Sequence, residues 1–171
     1  MLLDLSRLRS GVETLTRRYD PSAFDVAHED FRIAAPVELS GEARKDAKKV
    51  RLTGRVVTTL ECDCSRCLEP FPVPVDAKVD VLLLPLSDNI GQAEQEIAED
   101  DLGVSHYKDD IVDLGELMRE QFYLAMPMKP LCREDCQGLC PVCGINRNRE
   151  TCTCQTAWVD PRMEALKNLK F

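Results

Sequence analysis

The distribution of cysteines constrains this chain more than any other feature, because six of its nine cysteines lie in the last forty residues. The tightest motif is Cys140-Pro-Val-Cys143-Gly144, in which two thiols stand on either side of a short turn and the glycine permits a positive φ. Backbone N–H groups of such a turn point at the sulfurs, and both sulfurs reach one tetrahedral metal ion. The motif predicts a zinc knuckle, which needs a second pair of thiolates.

Three other cysteine pairs could complete the site, namely Cys64 with Cys67, Cys132 with Cys136, and Cys152 with Cys154. Four pairs suffice for two four-cysteine zinc sites, although the spacing by itself requires only one. The preferred set joins Cys140 and Cys143 to Cys152 and Cys154, because the eight intervening residues form a short loop with a small closure entropy. An arrangement in which the Cys64 pair meets the tail stays open, and Cys62 is left over.

Other uses of these thiols fit the sequence less well. The N-terminal run Met-Leu-Leu-Asp-Leu-Ser-Arg lacks the basic start and apolar core of a secretory signal, so we expect a cytoplasmic protein with reduced thiols. Thiol–disulfide exchange by Cys64 and Cys67 is the alternative function. It normally requires a strand–motif–helix context, whereas this pair lies between two strand-like runs.

An iron centre is a further alternative. Cys136, Cys140 and Cys143 have the spacing of radical enzymes that use S-adenosylmethionine, but those enzymes build a barrel after the motif and only 28 residues follow here. A simple iron–sulfur cluster on the same thiols stays open.

Charge and hydropathy limit the partners. The formal net charge is −8, with the acidic excess confined to residues 1–128 and a small basic excess in residues 129–171. A phosphate backbone would be repelled by the acidic part, so we expect any RNA contact on the tail. No run approaches 18 apolar residues, so no contact with a membrane interior is expected.

Periodicity predicts an α+β fold with an antiparallel sheet body and packed helices. Residues 50–62 and 73–83 alternate apolar and polar side chains and predict a long hairpin with the Cys64 pair at its tip, and residues 31–39 predict a further strand. Asp113 and Glu116 predict the start of a helix over residues 113–126, and Asp160-Pro161 predicts a short final helix. We expect a β-rich body at 1–128 and a cysteine-rich zinc-binding tail at 129–171, packed as one unit. The acidic run 88–110 is expected to be a solvated loop.

The sequence offers little for catalysis. His28 and His106 are expected to be surface residues, and no nucleophile elbow, phosphate loop or dinucleotide motif is present. An all-cysteine zinc site is closed to substrate and therefore structural. We expect no enzymatic activity, no catalytic residue and no small-molecule substrate.

The ordered combination of motifs resembles one family. It consists of Glu61-Cys-Asp-Cys64-Ser-Arg-Cys67-Leu-Glu-Pro-Phe71 after a strand, a helix ending in Ala125-Met-Pro127, the cysteine run of residues 131–146, the Cys152 pair, and Asp160-Pro161-Arg162. These are similar to the YceD family, the bacterial and plastid large ribosomal RNA subunit accumulation proteins. The resemblance implies a cytoplasmic, non-enzymatic factor that supports accumulation of 23S ribosomal RNA.

A factor of this kind would act on ribosomal RNA precursor or on large-subunit assembly proteins. We expect the tail to present basic side chains to RNA or to a ribosomal protein, and the candidates are Arg133, Arg147, Arg149 and Arg162.

Overall fold

The computed structural model describes residues 1–6, 8, 11–26, 30–86 and 104–154. The chain divides into two compact units. The first comprises Met1–Cys62 and Pro72–Met128, and the second comprises Asp63–Phe71 and Lys129–Phe171. The second unit therefore combines a short internal segment, the tip of the predicted hairpin, with the residues of the predicted tail.

Most of the described elements are strands. In chain order they are β1 (Leu2–Asp4), β2 (Gly11–Tyr19), β3 (Phe31–Ile33), β4 (Val37–Asp46), β5 (Lys49–Asp63), β6 (Pro70–Pro85), β7 (Val104–Tyr107) and β8 (Ile111–Asp113), followed by α1 (Leu114–Ala125). One sheet has the order β2-β4-β5-β6-β7 with β3 also paired to β5, and β1 pairs with β8 separately.

The predicted hairpin is β5 and β6, which are neighbours in the sheet. The apolar phase of β5 is buried, as the alternation predicted; it consists of Val50, Leu52, Val56, Leu60 and Cys62. On the exposed phase, Arg51 donates two hydrogen bonds of 2.8 Å to the carboxylate of Asp80, and Arg55 pairs with Asp76 in the same way. From the first ion pair to the second, the residue number rises by four in β5 and falls by four in β6, which is the register of antiparallel strands. The predicted antiparallel sheet body is therefore confirmed.

Two predictions, one of a strand and one of a loop, need correction. The strand expected over residues 31–39 is two strands, β3 and β4, and the break between them includes Pro36, which cannot donate a ladder hydrogen bond. The strand β7 falls inside the run that we expected to be an acidic loop. It pairs parallel to β6, with Leu82 opposite Val104, and residues 87–103 of that run lie outside the described residues.

The helix expected at residues 113–126 is confirmed as α1. The side chain of Asp113 accepts a 2.8 Å hydrogen bond from the Gly115 N–H and caps the first turn. Phe122 is fully buried, and its ring packs edge-on against Phe24 and Phe31 at 5.7 and 6.2 Å between centroids.

The prediction of packed helices is not supported by the described residues. Among the described residues α1 is the one α-helix, because the period-two segments take up most of the first unit. The helix predicted after Asp160 lies outside the described residues. Within the described part of the chain, no helix combines the length and the apolar character that a membrane crossing requires.

Candidate metal centres

The motif around Cys140 forms the turn that the sequence predicted. The Gly144 N–H donates to the Cys140 carbonyl at 2.8 Å, and the Cys140 N–H donates to the Ile145 carbonyl at 2.9 Å. Gly144 has a φ of 75°, the left-handed conformation that glycine adopts without a Cβ penalty. The backbone therefore folds around the first sulfur and leaves the N–H groups between the two cysteines facing it.

The segment around Cys64 repeats this turn. The Leu68 N–H donates to the Cys64 carbonyl and the Cys64 N–H donates to the Glu69 carbonyl, both at 2.9 Å. Leu68 holds the left-handed position with a φ of 58°, which costs a residue with a Cβ about 1–2 kcal/mol. We call this turn the first knuckle and the turn at Cys140 the second. Because leucine stands where the second knuckle has glycine, the spacing of Cys64 and Cys67 was the one sequence signal for the first knuckle.

The structure brings eight cysteines together in two groups of four. The first group is Cys64, Cys67, Cys132 and Cys136, and the second is Cys140, Cys143, Cys152 and Cys154. Within each group all four sulfurs lie within 4.8 Å of one another, and either group could hold a metal ion. The second group is the set preferred from the sequence, and the first joins the two remaining pairs.

The distances in the first group suit a metal better than a disulfide. The Sγ atoms of Cys64 and Cys136 are 3.8 Å apart, and those of Cys67 and Cys132 are 3.7 Å apart. A tetrahedron of sulfurs at about 2.3 Å from a central zinc has edges of about 3.8 Å, whereas a disulfide bond is about 2.05 Å long. The donor set therefore fits a closed four-sulfur site.

The two groups differ in burial. Cys64, Cys67 and Cys136 are buried together, with Phe71 and Leu131 packed against them. In the second group Cys140 is buried and Cys143 is exposed. The first group is thus the more shielded from solvent.

Thiol pKa values also separate within each group. Burial raises the pKa of Cys64, but backbone N–H groups of Cys132, Cys67 and Arg66 donate to its sulfur and bring the pKa down to about 6. Backbone N–H groups of Cys143 and Val142 outweigh burial at Cys140 and likewise lower its pKa to about 6. Each group therefore contains at least one thiol whose pKa lies below neutral pH.

Two thiols, Cys132 and Cys154, lose their protons less readily. Burial and the hydrogen-bonded thiols of Cys67 and Cys136 raise the pKa of Cys132 to about 12. The neighbouring sulfur of Cys143, together with burial, raises the pKa of Cys154 to about 12. A divalent cation would relieve this repulsion, because each thiolate it binds is stabilised by the opposite charge.

Arg66 lies inside the first knuckle and makes hydrogen bonds with the backbone around Cys136 of the first group. Its guanidinium donates to the Cys136 carbonyl at 2.8 Å and to the Glu134 carbonyl at 3.2 Å, and its own carbonyl accepts the Leu139 N–H at 3.0 Å. Gly138, with a φ of 70°, passes so close that an added Cβ would lie 2.9 Å from the Arg66 carbonyl oxygen. These contacts, all within the second unit, tie the hairpin tip to residues 134–139.

The arginines expected to contact RNA are placed unequally. Arg133 donates to the Asn148 side chain at 2.7 Å, and Arg149 lies 2.6 Å from a carboxylate oxygen of Glu69. Arg147 is exposed, with no side-chain partner among the residues that the structure describes. Arg162 lies outside the described residues.

Cys62 and the two histidines lie outside the two cysteine groups. Cys62 is buried in the first unit, 3.3 Å from the sulfur of Met126. His106 is exposed on β7, and His28 lies outside the described residues.

Comparison with known proteins identifies relatives along most of the chain. A family model described as large ribosomal RNA subunit accumulation protein YceD matches residues 52–170. An uncharacterized protein of Mycobacterium tuberculosis is 33% identical over 65% of this chain and 51% of its own length. The chloroplastic large ribosomal RNA subunit accumulation protein YCED homolog 1 of Zea mays is 28% identical over 70% of this chain and 49% of its own length.

A third relative, the uncharacterized protein YlbN of Bacillus subtilis, is 27% identical over 82% of this chain and 77% of its own length. The chain spans about half the length of the first two relatives. No solved structure gives a significant match. Because the family model covers well over half of the sequence, including every cysteine of both groups, the chain belongs to the YceD family of large ribosomal RNA subunit accumulation proteins.

Proposed function

We propose that this chain is a non-enzymatic cytoplasmic factor that supports accumulation of 23S ribosomal RNA during assembly of the large ribosomal subunit. We further propose that its second unit folds around two zinc ions. The family description and the name of the maize relative support the process. The observation that carries the metal proposal is the pair of four-cysteine groups with sulfurs within 4.8 Å.

The chemistry of the donor sets supports a structural role. Both groups consist of thiols alone, and four thiolates fill the tetrahedral coordination of zinc. A catalytic zinc keeps one position for water or substrate and usually has histidine or carboxylate among its ligands. The bound metal would hold the two knuckles together, much as a small zinc domain depends on its ion for folding.

Metal content can be measured directly. Protein purified in metal-free buffer should contain two zinc ions per chain by elemental analysis. Cys67→Ser and Cys143→Ser should each lower the content to one, while Cys62→Ala, a matched change outside both groups, should leave it at two. A chain without zinc, or a brown sample that contains iron, would refute the zinc proposal.

The cellular role needs a separate test. Depletion of the protein in its host should lower 23S relative to 16S ribosomal RNA and accumulate incomplete large-subunit particles in gradient profiles. A copy with Cys140 and Cys143 changed to serine should complement poorly, whereas the Cys62→Ala copy should complement. A normal ratio of the two RNAs after depletion would contradict the proposed process.

Thiol–disulfide exchange is a second candidate, and the lowered pKa of Cys64 is the observation in its favour. The side chains of Cys64 and Cys67 are 0% and 3% exposed, however, and exchange requires an accessible sulfur. Alkylation of the purified protein separates the two functions. Rapid modification of Cys64 and reversible oxidation with Cys67 would favour redox chemistry, and protection that ends when a chelator is added would favour zinc.

A further inference from the structure

Asn148 connects the two cysteine groups. It lies in the loop of residues 144–151, which joins the two cysteine pairs of the second group. Its side-chain amide nitrogen donates to the sulfur of Cys136, a member of the first group, at 3.3 Å. One residue thus belongs by sequence to the loop of one candidate metal centre and contacts a ligand of the other.

The orientation of this amide is fixed by its neighbours. The Asn148 oxygen accepts hydrogen bonds from Arg133 at 2.7 Å and from the Gln137 N–H at 2.8 Å. The nitrogen donates to the Asn146 side-chain oxygen at 2.8 Å as well as to Cys136. A flipped amide would direct its N–H groups at two donors, so the donor must face the sulfur.

The loop that carries Asn148 is itself held in place. The Arg147 N–H donates to the Gly138 carbonyl at 2.9 Å, and the Asn148 N–H donates to the Asn146 side chain at 2.9 Å. The N–H groups of Arg149 and Glu150 both donate to the Asn146 carbonyl at 3.0 Å. A metal ion that gathers the second group closes both ends of this loop and restricts where Asn148 can lie.

We infer that Asn148 is a positioning residue that couples the two centres, so that metal bound by the second group strengthens metal binding by the first. An N–H donor stabilises a metal-bound thiolate, and loss of such an outer hydrogen bond typically lowers metal affinity about 10- to 100-fold. Coupling of two binding equilibria is reciprocal, so metal in the first group strengthens binding by the second by the same factor. This inference rests on the proposed metal binding.

Two variants of the full chain isolate the contact. Asn148→Ala removes all four side-chain bonds, whereas Asn148→Asp keeps oxygens toward Arg133 and Gln137 but loses the donor to Cys136. Glu150→Ala is the matched control, because it changes an exposed side chain of the same loop. Zinc affinity is measured by competition with a chelator, and thiol alkylation followed by peptide mass spectrometry reports each group separately.

We expect both Asn148 variants to lower the zinc affinity of the first group about 10- to 100-fold and to speed alkylation of Cys136, with little effect of Glu150→Ala. Cys143→Ser disables the second group. In the otherwise native chain it should lower the zinc affinity of the first group by a similar factor, and in a chain that already carries Asn148→Ala it should cause no further loss. Unchanged affinity and alkylation in both Asn148 variants, or losses that simply multiply, would overturn the coupling.

The native protein provides the reference for this experiment. If it binds two zinc ions while the variants behave as wild type, the coupling fails and the metal proposal stands. If it binds no zinc, the metal proposal fails first. Cobalt substitution adds a spectroscopic readout, since loss of a hydrogen bond to one thiolate should shift the sulfur-to-cobalt charge-transfer band of the Asn148 variants but not that of Glu150→Ala.

Discussion

Gly138 and Gly144 allow a controlled test of how the second unit is built. Both have left-handed backbones, with φ values of 70° and 75°, so alanine at either position carries the same conformational cost of about 1–2 kcal/mol. Their surroundings differ. A Cβ at Gly144 meets no atom within 4 Å, whereas a Cβ at Gly138 lies 2.9 Å from the backbone oxygen of Arg66 and 3.2 Å from its Cβ.

Gly144→Ala should therefore show the backbone cost alone. If metal binding and folding of the second unit are one equilibrium, about 1–2 kcal/mol becomes a roughly 5- to 30-fold loss of apparent zinc affinity. Gly138→Ala must also displace the Arg66 carbonyl, which accepts the Leu139 N–H at 3.0 Å. Weakening that hydrogen bond adds about 0.5–1.5 kcal/mol, so the total cost should reach about 1.5–3.5 kcal/mol.

Chelator competition measures both apparent affinities, and hydrogen exchange at Leu139 and Cys140 shows whether the loss comes from opening of the second unit. Gly138→Ala should lower the apparent zinc affinity more than Gly144→Ala does. Equal effects, or a larger effect of Gly144→Ala, would show that the Arg66 carbonyl moves freely and that its contact with Gly138 does not support the site.

Four further perturbations test other contacts in the two units. Leu68→Gly removes the backbone strain of the first knuckle, and the relief of about 1–2 kcal/mol is partly offset by the entropic cost of glycine, about 0.5–1 kcal/mol. Chelator competition should therefore show equal or slightly tighter zinc binding. A tenfold loss would mean that the leucine side chain itself is needed. Phe122→Ala should destabilise the first unit by about 3–5 kcal/mol in denaturant unfolding, because its buried ring contacts Phe24 and Phe31, and a loss below 1 kcal/mol would contradict this packing. Hydrogen bonding and charge from Arg51 hold the pKa of the Asp80 carboxyl below its usual value, so the pair stabilises the fold at neutral pH and that contribution is lost as acidification protonates Asp80; an NMR titration should show this pKa rising in Arg51→Ala, and no rise would count against the pair. Arg147→Ala should weaken any RNA binding and reduce the salt slope by about one, and an unchanged slope would exclude Arg147 as a phosphate contact.

Local patterns in the sequence predicted local structure well. The alternation in β5 and β6 and the cap at Asp113 specify their elements through contacts between near neighbours, and those elements formed as expected. The second cysteine group was also readable, because its four thiols lie within 15 consecutive residues. The turn at Cys140 shows why: glycine at position 144 supplies the required backbone without help from elsewhere in the chain.

Long-range features were not readable in the same way. The first group consists of two cysteine pairs, with 64 residues between Cys67 of one pair and Cys132 of the other. Periodicity carries no information about which distant pairs meet. The parallel pairing of β7 with β6 depends on the same kind of distant contact. Arg133 is held by Asn148 and Arg149 by Glu69, and no pattern in the sequence indicates either pairing.

The separation of the two halves of the first group has a consequence for synthesis of the chain. Cys64 and Cys67 are made well before Cys132, and at about 5–20 residues per second the ribosome needs about 3–13 seconds for the intervening segment. During that interval the hairpin tip carries two thiols whose later neighbours, Leu131 and Cys136, do not yet exist. A nascent chain, or a fragment cut after Met128, would therefore expose a vicinal dithiol that the finished protein buries, and metal insertion at this site must be a late step of folding.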